Sequence, residues 1–443
     1  MQKILVVAPN PWAYQEILAR KEKYHFVFYE SDFQNDEISL FNKIRLILGL
    51  NFEKEVHKLV QFSKENKIEA ILAVDEFISS LIGAKAAEIL GLPHYDLTLC
   101  LKLQHKYYSR QLQFETIPRY TPKFSLLNIS GERDFPFFIK PIRGSASLLA
   151  YAVHDKDELR RATNVSLIKK WFLKRLLSQF ESLTVKYANL KLTGNPWVKE
   201  ELMSGQQVTV EGFVYRGENS IVGIVDSVMY PQSKISFERF NYPSRLPRNI
   251  QEEILQITRE FISKIGFNFG FYNIEYFYHS QTNQISIIEI NPRMAFQFSD
   301  LYEKVDGYNT FDTYIDLSLG KKPTIKFQQG KYAMATSFVL RHFEDAYVAR
   351  TPSTHDVNKI SEKFDARILI QACEKKKLSN DFFEDTESYR LMSVNIGAAK
   401  DDELNQKYQE ICKELTFELI SLKQQNFKKY LHAHYVKLLF LFY

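Results

Sequence analysis

The sequence predicts an α/β protein with more than one domain, and residues 1–100 show this most clearly. Apolar stretches at residues 4–7, 26–29 and 70–74 alternate with amphipathic segments, of which residues 53–67 are the clearest helix. This alternation is typical of a parallel sheet covered by helices. A chain of 443 residues is long enough for two or three domains. We therefore expect an N-terminal parallel α/β domain followed by at least one further domain.

A predicted β-hairpin in the second half of the chain carries acidic side chains. Residues 271–276 and 285–293 are rich in Ile, Phe and Tyr, and a short polar link separates them. Because side chains alternate between the faces of a strand, Glu275 is expected opposite Glu289, with Asn291 on the same face as Glu289. Facing carboxylates repel each other, and a divalent cation between them removes that penalty. These oxygen ligands predict a site for Mg²⁺ or Mn²⁺ that also binds a substrate phosphate; the alternative is a solvated hairpin.

A second predicted anion site lies upstream, in residues 135–147. An apolar strand ends at Lys140 and is followed by a loop of Gly, Ser and Ala, whose backbone N–H groups can approach phosphate oxygens closely. The segment lacks the Gly-Lys-Ser/Thr ending of a P-loop, and by itself it is also compatible with a plain strand-to-turn transition. Arg293, directly after the hairpin's Asn-Pro, could bind an anion beside the metal.

These segments and two others resemble the ATP-grasp superfamily in order and approximate spacing. The resemblance is to its carboxylate–amine or thiol ligases with the biotin-carboxylase-like fold, and it covers about residues 70 to 325. The matching segments are residues 140–147, 198–205, 208–213, 273–275 and 289–293.

The resemblance implies a three-part domain organisation. An α/β pre-ATP-grasp domain is expected over residues 1–100. A two-lobed ATP-grasp domain of the α+β type is expected over residues 101–325, with lobes of about 101–197 and 198–325. A small C-terminal α+β module over residues 326–443 completes the expected architecture.

The resemblance also implies how ATP is bound. Lys106 and Lys140 match the two lysines that contact the nucleotide. The remaining expected contacts come from a mobile loop over the phosphates and from a hinge strand that reads the adenine: Gly144, Ser145 and Ser147, and Glu200, Glu201 and Leu202. Many family members carry an acid two residues after the hinge glycine, where it binds the ribose hydroxyls. This chain has Gln207, which can still hydrogen-bond a hydroxyl.

The metal ligands implied by the resemblance are Glu275, Glu289 and Asn291, and the metal is Mg²⁺ or Mn²⁺. Arg293 matches the arginine that steadies the transferred phosphoryl group, so that Arg293 and Lys140 are the expected catalytic residues. The biotin carboxylase branch would carry a glutamate near residue 297 as the base toward bicarbonate. This chain has Gln297, which cannot take a proton at neutral pH, so a bicarbonate-fixing carboxylase is not expected.

The reaction implied by the resemblance is a two-step, ADP-forming ligation. ATP phosphorylates a carboxylate, and an amine then displaces phosphate from the acyl-phosphate. Two alternatives remain open: a non-catalytic ATP-binding regulatory module, and a ligase with a thiol or carbon nucleophile as the acceptor. Retention of both lysines, the three metal ligands and the arginine counts against the regulatory module. The substrates are not identified, because acceptor pockets lie on variable loops.

Composition fits a cytoplasmic enzyme, the resemblance implies small-molecule carboxylate and amine substrates, and a homodimer stays open. The net charge of +5 is small, and mixed lysines and glutamates argue against a nucleic-acid surface. No signal peptide and no apolar run of about 20 residues are evident. Cys100, Cys373 and Cys412 lack metal-ligand spacing and are predicted to be buried small hydrophobes.

Five further segments receive predictions. Residues 332–340 and 366–371 are expected to be strands, and residues 401–423 an amphipathic helix. A basic segment at residues 155–194 is expected to be mostly helical, and either packs on its domain or binds an acidic partner or a membrane surface. The apolar C-terminal tail is too short to span a bilayer.

Overall fold

The computed structural model describes residues 1–29, 51–74, 78–129, 131–143, 149–164, 167–191, 197–233, 235–380 and 387–422. The chain divides into two compact units. Unit 1 comprises Met1–Ser227 and Asn241–Lys331, and unit 2 comprises Val228–Phe240 and Tyr332–Tyr443. The predicted domain limits at residues 100 and 325 stay predictions.

The N-terminal part of unit 1 is built on a three-stranded parallel sheet with the order β2-β1-β3, as the sequence predicts. Its strands are β1 (Lys3–Val7), β2 (His25–Tyr29) and β3 (Ala70–Leu72). The accompanying helices are α1 (Pro11–Leu18), α2 (Phe52–Asn66), α3 (Ser79–Leu90) and α4 (Leu97–Gln104). Helix α2 begins at Asn51, whose side chain accepts a hydrogen bond from the Lys54 N–H. This capping accounts for where the predicted helix begins.

A four-stranded antiparallel sheet follows, with the order β4-β7-β5-β6. Its strands are β4 (Phe124–Leu126), β5 (Phe137–Pro141), β6 (Tyr151–Val153) and β7 (Trp197–Glu201), and the nearby helices are α5 (Lys106–Thr116), α6 (Lys156–Thr163) and α7 (Leu167–Ala188). Leu159 of α6 and Leu177 of α7 are buried with the sheet residues Phe137 and Ile139. Phe180 of α7 is buried against the core of the parallel sheet. Helix α7 therefore packs on unit 1, which is the first alternative for residues 155–194.

Four more strands of unit 1 are antiparallel neighbours in the order β12-β11-β8-β9. They are β8 (Gln206–Tyr215), β9 (Glu218–Met229), β11 (Phe269–His279) and β12 (Gln284–Asn291), and the remaining helices of the unit are α8 (Arg248–Lys264), α9 (Ser299–Asp306) and α10 (Thr310–Ser318). One face packs Val208, Val210 and Ile274 against Ile254 and Ile257 of α8. Because side chains alternate along a strand, the opposite face carries the intervening polar residues.

Unit 2 contains strands of two sheets. Strands β10 (Phe237–Tyr242), β13 (Met334–His342), β17 (Tyr389–Ala398) and β15 (Arg367–Ile370) are neighbours in that order, and β16 (Lys376–Lys377), β14 (Ala346–Arg350) and β18 (Glu418–Ser421) form the other sheet. Its helices are α11 (Thr354–Phe364) and α12 (Asp401–Glu414). The predicted strands at 332–340 and 366–371 are confirmed. The predicted helix over 401–423 is too long, because the chain leaves α12 and pairs as β18 with β14.

Three smaller predictions have different outcomes. Cys100 is buried and Cys412 partly buried, but Cys373 is exposed, so the prediction of a buried thiol is wrong there. Within the described part of the chain, no helix combines the length and apolar character needed to cross a bilayer. The apolar tail, residues 427–443, lies outside the described residues.

Candidate functional site

The predicted hairpin forms with the predicted register. Strands β11 and β12 pair antiparallel, with Glu275 opposite Glu289 and Asn273 opposite Asn291. The register shifts by a bulge just after Glu275. A bulge aims neighbouring side chains in a new direction and is frequent beside active sites. The two carboxylates and the amide of Asn291 thus lie on the polar face of the sheet.

The two facing carboxylates have opposite electrostatic surroundings. Burial and the negative charge of Glu289 raise the pKa of Glu275, whose Oε2 accepts a 2.9 Å hydrogen bond from Gln207 Nε2. Burial also acts to raise the pKa of Glu289, but the positive charges of Lys106 and Lys140 outweigh it and lower that pKa. Glu289 forms an ion pair with the Lys106 ammonium. A cation between the strands would relieve the remaining repulsion.

Lys140 lies near the end of strand β5, and its side chain contacts a buried carboxylate on the neighbouring strand. Its Nζ lies 3.0 Å from Glu200 Oε1, and the same carboxylate binds Arg110 of α5 at 2.7 and 3.0 Å. Burial acts to raise the pKa of Glu200, but Arg110 and Lys140 outweigh it and lower the pKa to about 2. Burial lowers the pKa of Lys140 to about 8. The second predicted lysine is therefore held on an ionised glutamate.

These charged groups line a polar cleft. Its wall includes Lys106 and Lys140, the predicted metal-strand residues Glu289 and Asn291, and also Arg143. Lys106 and Lys140 come from different elements, α5 and β5, and the backbone joins them because the Lys106 N–H donates to the Ile142 carbonyl, 2.8 Å away. Four cationic side chains line this cleft, since Arg110 is also part of its wall, and together they can bind a polyanion such as a triphosphate.

The predicted adenine and ribose contacts have different surroundings. The Glu200 side chain is fully buried and bound to Arg110 and Lys140. The Glu201 N–H donates to the Lys123 carbonyl at 2.9 Å, and Leu202 is 40% exposed. Gln207 is buried and donates to Glu275. A nucleotide contact by these residues stays a prediction, as do the contacts of Gly144, Ser145 and Ser147, which lie outside the described residues.

Arg293 follows strand β12 and begins a loop. A side chain on the polar face of the sheet holds this loop by a hydrogen bond. The N–H of Arg293 donates to the Asn291 carbonyl at 2.8 Å, and its guanidinium Nη1 donates to the Met294 carbonyl at 3.2 Å. Two residues later, the Ala295 N–H donates to Glu211 Oε1 at 2.6 Å. Glu211 is fully buried on β8, and this burial raises its pKa to about 8.

Sequence reasoning did not assign roles to Arg110, Arg143, Glu211 or Asn273. Arg110 lies four residues after Lys106, on the same side of the helix, which is a signal the sequence contains. Glu211 lies opposite Asn273, which in turn lies opposite Asn291. These three form a cross-strand row, and only the pairing of three separate strands reveals it.

The donor chemistry of the hairpin fits a hard divalent cation. Two carboxylates and one amide offer oxygen ligands, and they leave further coordination positions for water or phosphate, which is how Mg²⁺ is usually bound. In the described ranges there is no group of three or more His, Cys, Asp or Glu that could hold a metal.

Comparison with known proteins gives the same fold. Residues 133–299 match the model of the ATP-grasp domain family. An L-amino acid ligase from Bacillus licheniformis is similar in structure, with a TM-score of 0.69 and 15% identity over 94% of this chain and 98% of that chain. A phosphoribosylglycinamide synthetase from Anaerococcus prevotii has a TM-score of 0.62 and 12% identity over 94% of this chain and 99% of that chain.

A third similar structure was solved with nucleotide. It is the biotin carboxylase domain of the Hydrogenobacter thermophilus 2-oxoglutarate carboxylase, in complex with MgADP, ADP and bicarbonate. Its TM-score is 0.63, with 13% identity over 98% of both chains. No curated protein matches this chain in sequence. Residues 133–299 therefore match the ATP-grasp domain family, and the chain shares its fold with these solved structures.

Proposed function

We propose that this protein is an ATP-dependent, ADP-forming ligase that activates a carboxylate as an acyl-phosphate and couples it to an amine. The observation that carries the proposal is the facing pair Glu275 and Glu289, which shares a polar sheet face with Asn291. Glu289 also lines one cleft together with Lys106 and Lys140. Paired carboxylates beside paired lysines suit a metal-bound polyphosphate better than they suit a solvated hairpin.

Each residue has a distinct task in this proposal. Glu275, Glu289 and Asn291 hold Mg²⁺ or Mn²⁺, which supplies charge neutralisation of the phosphate oxygens when bound. Lys106 and Lys140 contact the phosphates. Catalysis then comes from positioning and from fixed positive charge, so no protein nucleophile is needed.

Arg293 is the residue that we assign to the transferred phosphoryl group, with Lys140 as the second catalytic residue. The nucleotide base and sugar are assigned to the hinge strand and to Gln207, and further phosphate contacts are assigned to Gly144, Ser145 and Ser147. Arg293 suits its role because a guanidinium can bind two phosphate oxygens at once.

The choice of an amine acceptor is supported by two considerations. One similar structure is named as an L-amino acid ligase. A bicarbonate-fixing carboxylase is disfavoured because Gln297 stands where that branch would carry a glutamate base. We also propose small-molecule carboxylate and amine substrates and a cytoplasmic location, and a homodimer is the assembly to test.

The test measures release of ADP and phosphate with Mg·ATP and a pooled library of amino acids and small carboxylic acids. We expect release that depends on one acid and one amine and that is lost in Glu289→Gln. A matched control is Glu218→Gln on β9, because Glu218 is an exposed glutamate that also pairs with a lysine, Lys322. This control variant should keep wild-type turnover.

Three outcomes would contradict the proposal in whole or in part. Turnover that survives in Glu289→Gln would remove the hairpin from the chemistry. Tight Mg-dependent ATP binding with no turnover on any acid would favour a regulatory nucleotide-binding module. Turnover with a thiol and not with an amine would keep the ligase and replace its acceptor.

A further inference from the structure

Arg110 is a fully buried cation that joins the separate elements of the candidate site. It lies on helix α5 and is only 1% exposed. Its Nε and Nη2 donate to the two carboxylate oxygens of Glu200 on β7, at 2.7 and 3.0 Å. Its Nη1 and Nη2 also donate to the carbonyls of Ile287 and Ile288 on β12, both at 2.7 Å. One side chain therefore binds two strands from its own helix.

Each of these elements carries a residue of the proposed site. Helix α5 begins at Lys106, and strand β12 places Glu289 directly after the carbonyls that Arg110 binds. The carboxylate of Glu200 receives Lys140 Nζ at 3.0 Å, next to the Arg110 Nε bond on the same oxygen. A shift of Arg110 would thus move Lys106, Lys140 and the strand that carries Glu289 relative to one another.

Chemistry explains why an arginine occupies this position. A guanidinium is planar, always charged and carries five N–H donors in a fixed fork. A lysine could keep the charge but could not bridge one carboxylate and two carbonyls in a fixed geometry. Loss of Arg110 should also lower the stability of the fold, because it leaves the buried Glu200 with Lys140 as its remaining cation.

We infer that Arg110 is a positioning residue, which fixes Lys106, Lys140 and Glu289 in the relative arrangement that binds the magnesium nucleotide. This inference rests on the proposed function. Arg110 does not need to touch the nucleotide in this role, because it acts through Glu200 and the β12 carbonyls.

The test compares the affinity for Mg·ADP, by calorimetry, with the thermal midpoint Tm of the nucleotide-free protein. Arg110→Met should lower Tm and weaken Mg·ADP binding by about tenfold or more, since misplacement by about 1 Å can cost a site that much. The matched control is Arg20→Met. Arg20 is also a buried arginine, and it binds Asp312 through a similar fork at 2.7 and 2.9 Å. We expect this control to lower Tm with no change in Mg·ADP affinity.

A charge-conserving variant separates positioning from stability. Arg110→Lys keeps a cation beside the buried Glu200, but a lysine cannot bridge this carboxylate and the two β12 carbonyls in the same fixed geometry. We expect Arg110→Lys to recover part of the Tm that Arg110→Met loses, while Mg·ADP affinity stays low. If Arg110→Met does not fold, Arg110→Lys alone carries the test.

Three results would overturn the inference. Wild-type Mg·ADP affinity in Arg110→Met or Arg110→Lys would show that the arginine is structural. Mg·ADP affinity that falls and recovers in proportion to Tm across Arg110→Met and Arg110→Lys would show the same. Wild-type protein that does not bind Mg·ADP at all would overturn the proposed function itself, and the inference with it.

Discussion

Glu211 offers the sharpest test of the electrostatics around the site. Its side chain is fully buried on β8, and burial raises its pKa from the ordinary 4.5 to about 8. The carboxyl therefore stays protonated at neutral pH in the folded protein, but ionises in the unfolded chain. We expect Glu211→Gln, which has the same shape and no proton to lose, to stabilise the protein at neutral and alkaline pH.

The magnitude follows from the pKa difference. At about 1.4 kcal/mol per pKa unit, the distance from 4.5 to about 8 corresponds to about 5 kcal/mol. The folded form binds the Glu211 proton more tightly than the unfolded chain does. The stabilisation that this proton gives the folded protein is fully present below pH 4.5 and is lost as the pH rises to about 8. The gain of Glu211→Gln over wild type should therefore grow across that interval, reach a few kcal/mol and then level off.

The assay is urea unfolding of both proteins at several values between about pH 5 and about pH 8.5. The exposed Glu218 provides the control, because Glu218→Gln removes a carboxylate that carries no burial penalty. A stability difference between Glu211→Gln and wild type that does not change with pH would falsify the reasoning. A difference that grows toward acidic pH would reverse its sign and refute it equally.

Three further predictions follow from single contacts. Burial lowers the pKa of Lys140 to about 8, so the affinity for Mg·ADP should fall by up to about tenfold for each pH unit above that value. The control variant Lys140→Arg should bind Mg·ADP with an affinity that does not depend on pH. A wild-type affinity that does not change with pH would contradict this prediction. Glu275→Gln removes a buried acid and should raise the Tm of the nucleotide-free protein. The further stabilisation that saturating Mg·ADP gives the wild type, about 2 to 4 kcal/mol, should be lost in this variant. If Mg·ADP stabilises the variant as much as the wild type, Glu275 is not a metal ligand. Gly270 has φ +102°, and an added Cβ would lie 2.2 Å from the Tyr95 ring. Gly270→Ala should therefore cost about 2 kcal/mol or more in urea unfolding, and an unchanged midpoint would contradict that clash.

Local patterns account for the parts of the structure that the sequence predicts well. The hairpin register follows from two-residue alternation, which is why Glu275 meets Glu289 as expected. The parallel N-terminal sheet and helix α2 follow from apolar periodicity and from the Asn51 cap. The end of α12 was predicted too late, since pairing with β14 decides where that helix stops and residues 418–421 become a strand.

Contacts between distant elements account for what the sequence leaves open. Arg110 and Glu200 are 90 residues apart, and Arg110 and the Ile287 carbonyl are 177 apart. Glu211 meets the Ala295 N–H across 84 residues. No periodic signal links such positions, because their meeting depends on how helices and sheets pack.

The sequence by itself therefore determined the order of the site segments, the facing carboxylates and the candidate lysines. These are properties of neighbouring residues and of one hairpin. Only the tertiary structure decided that Glu200 forms ion pairs with Arg110 and Lys140, and that Glu211 is buried beside the loop that begins at Arg293. The physical reason is that burial and charge pairing are set by three-dimensional packing, whereas strand alternation is set by the backbone alone.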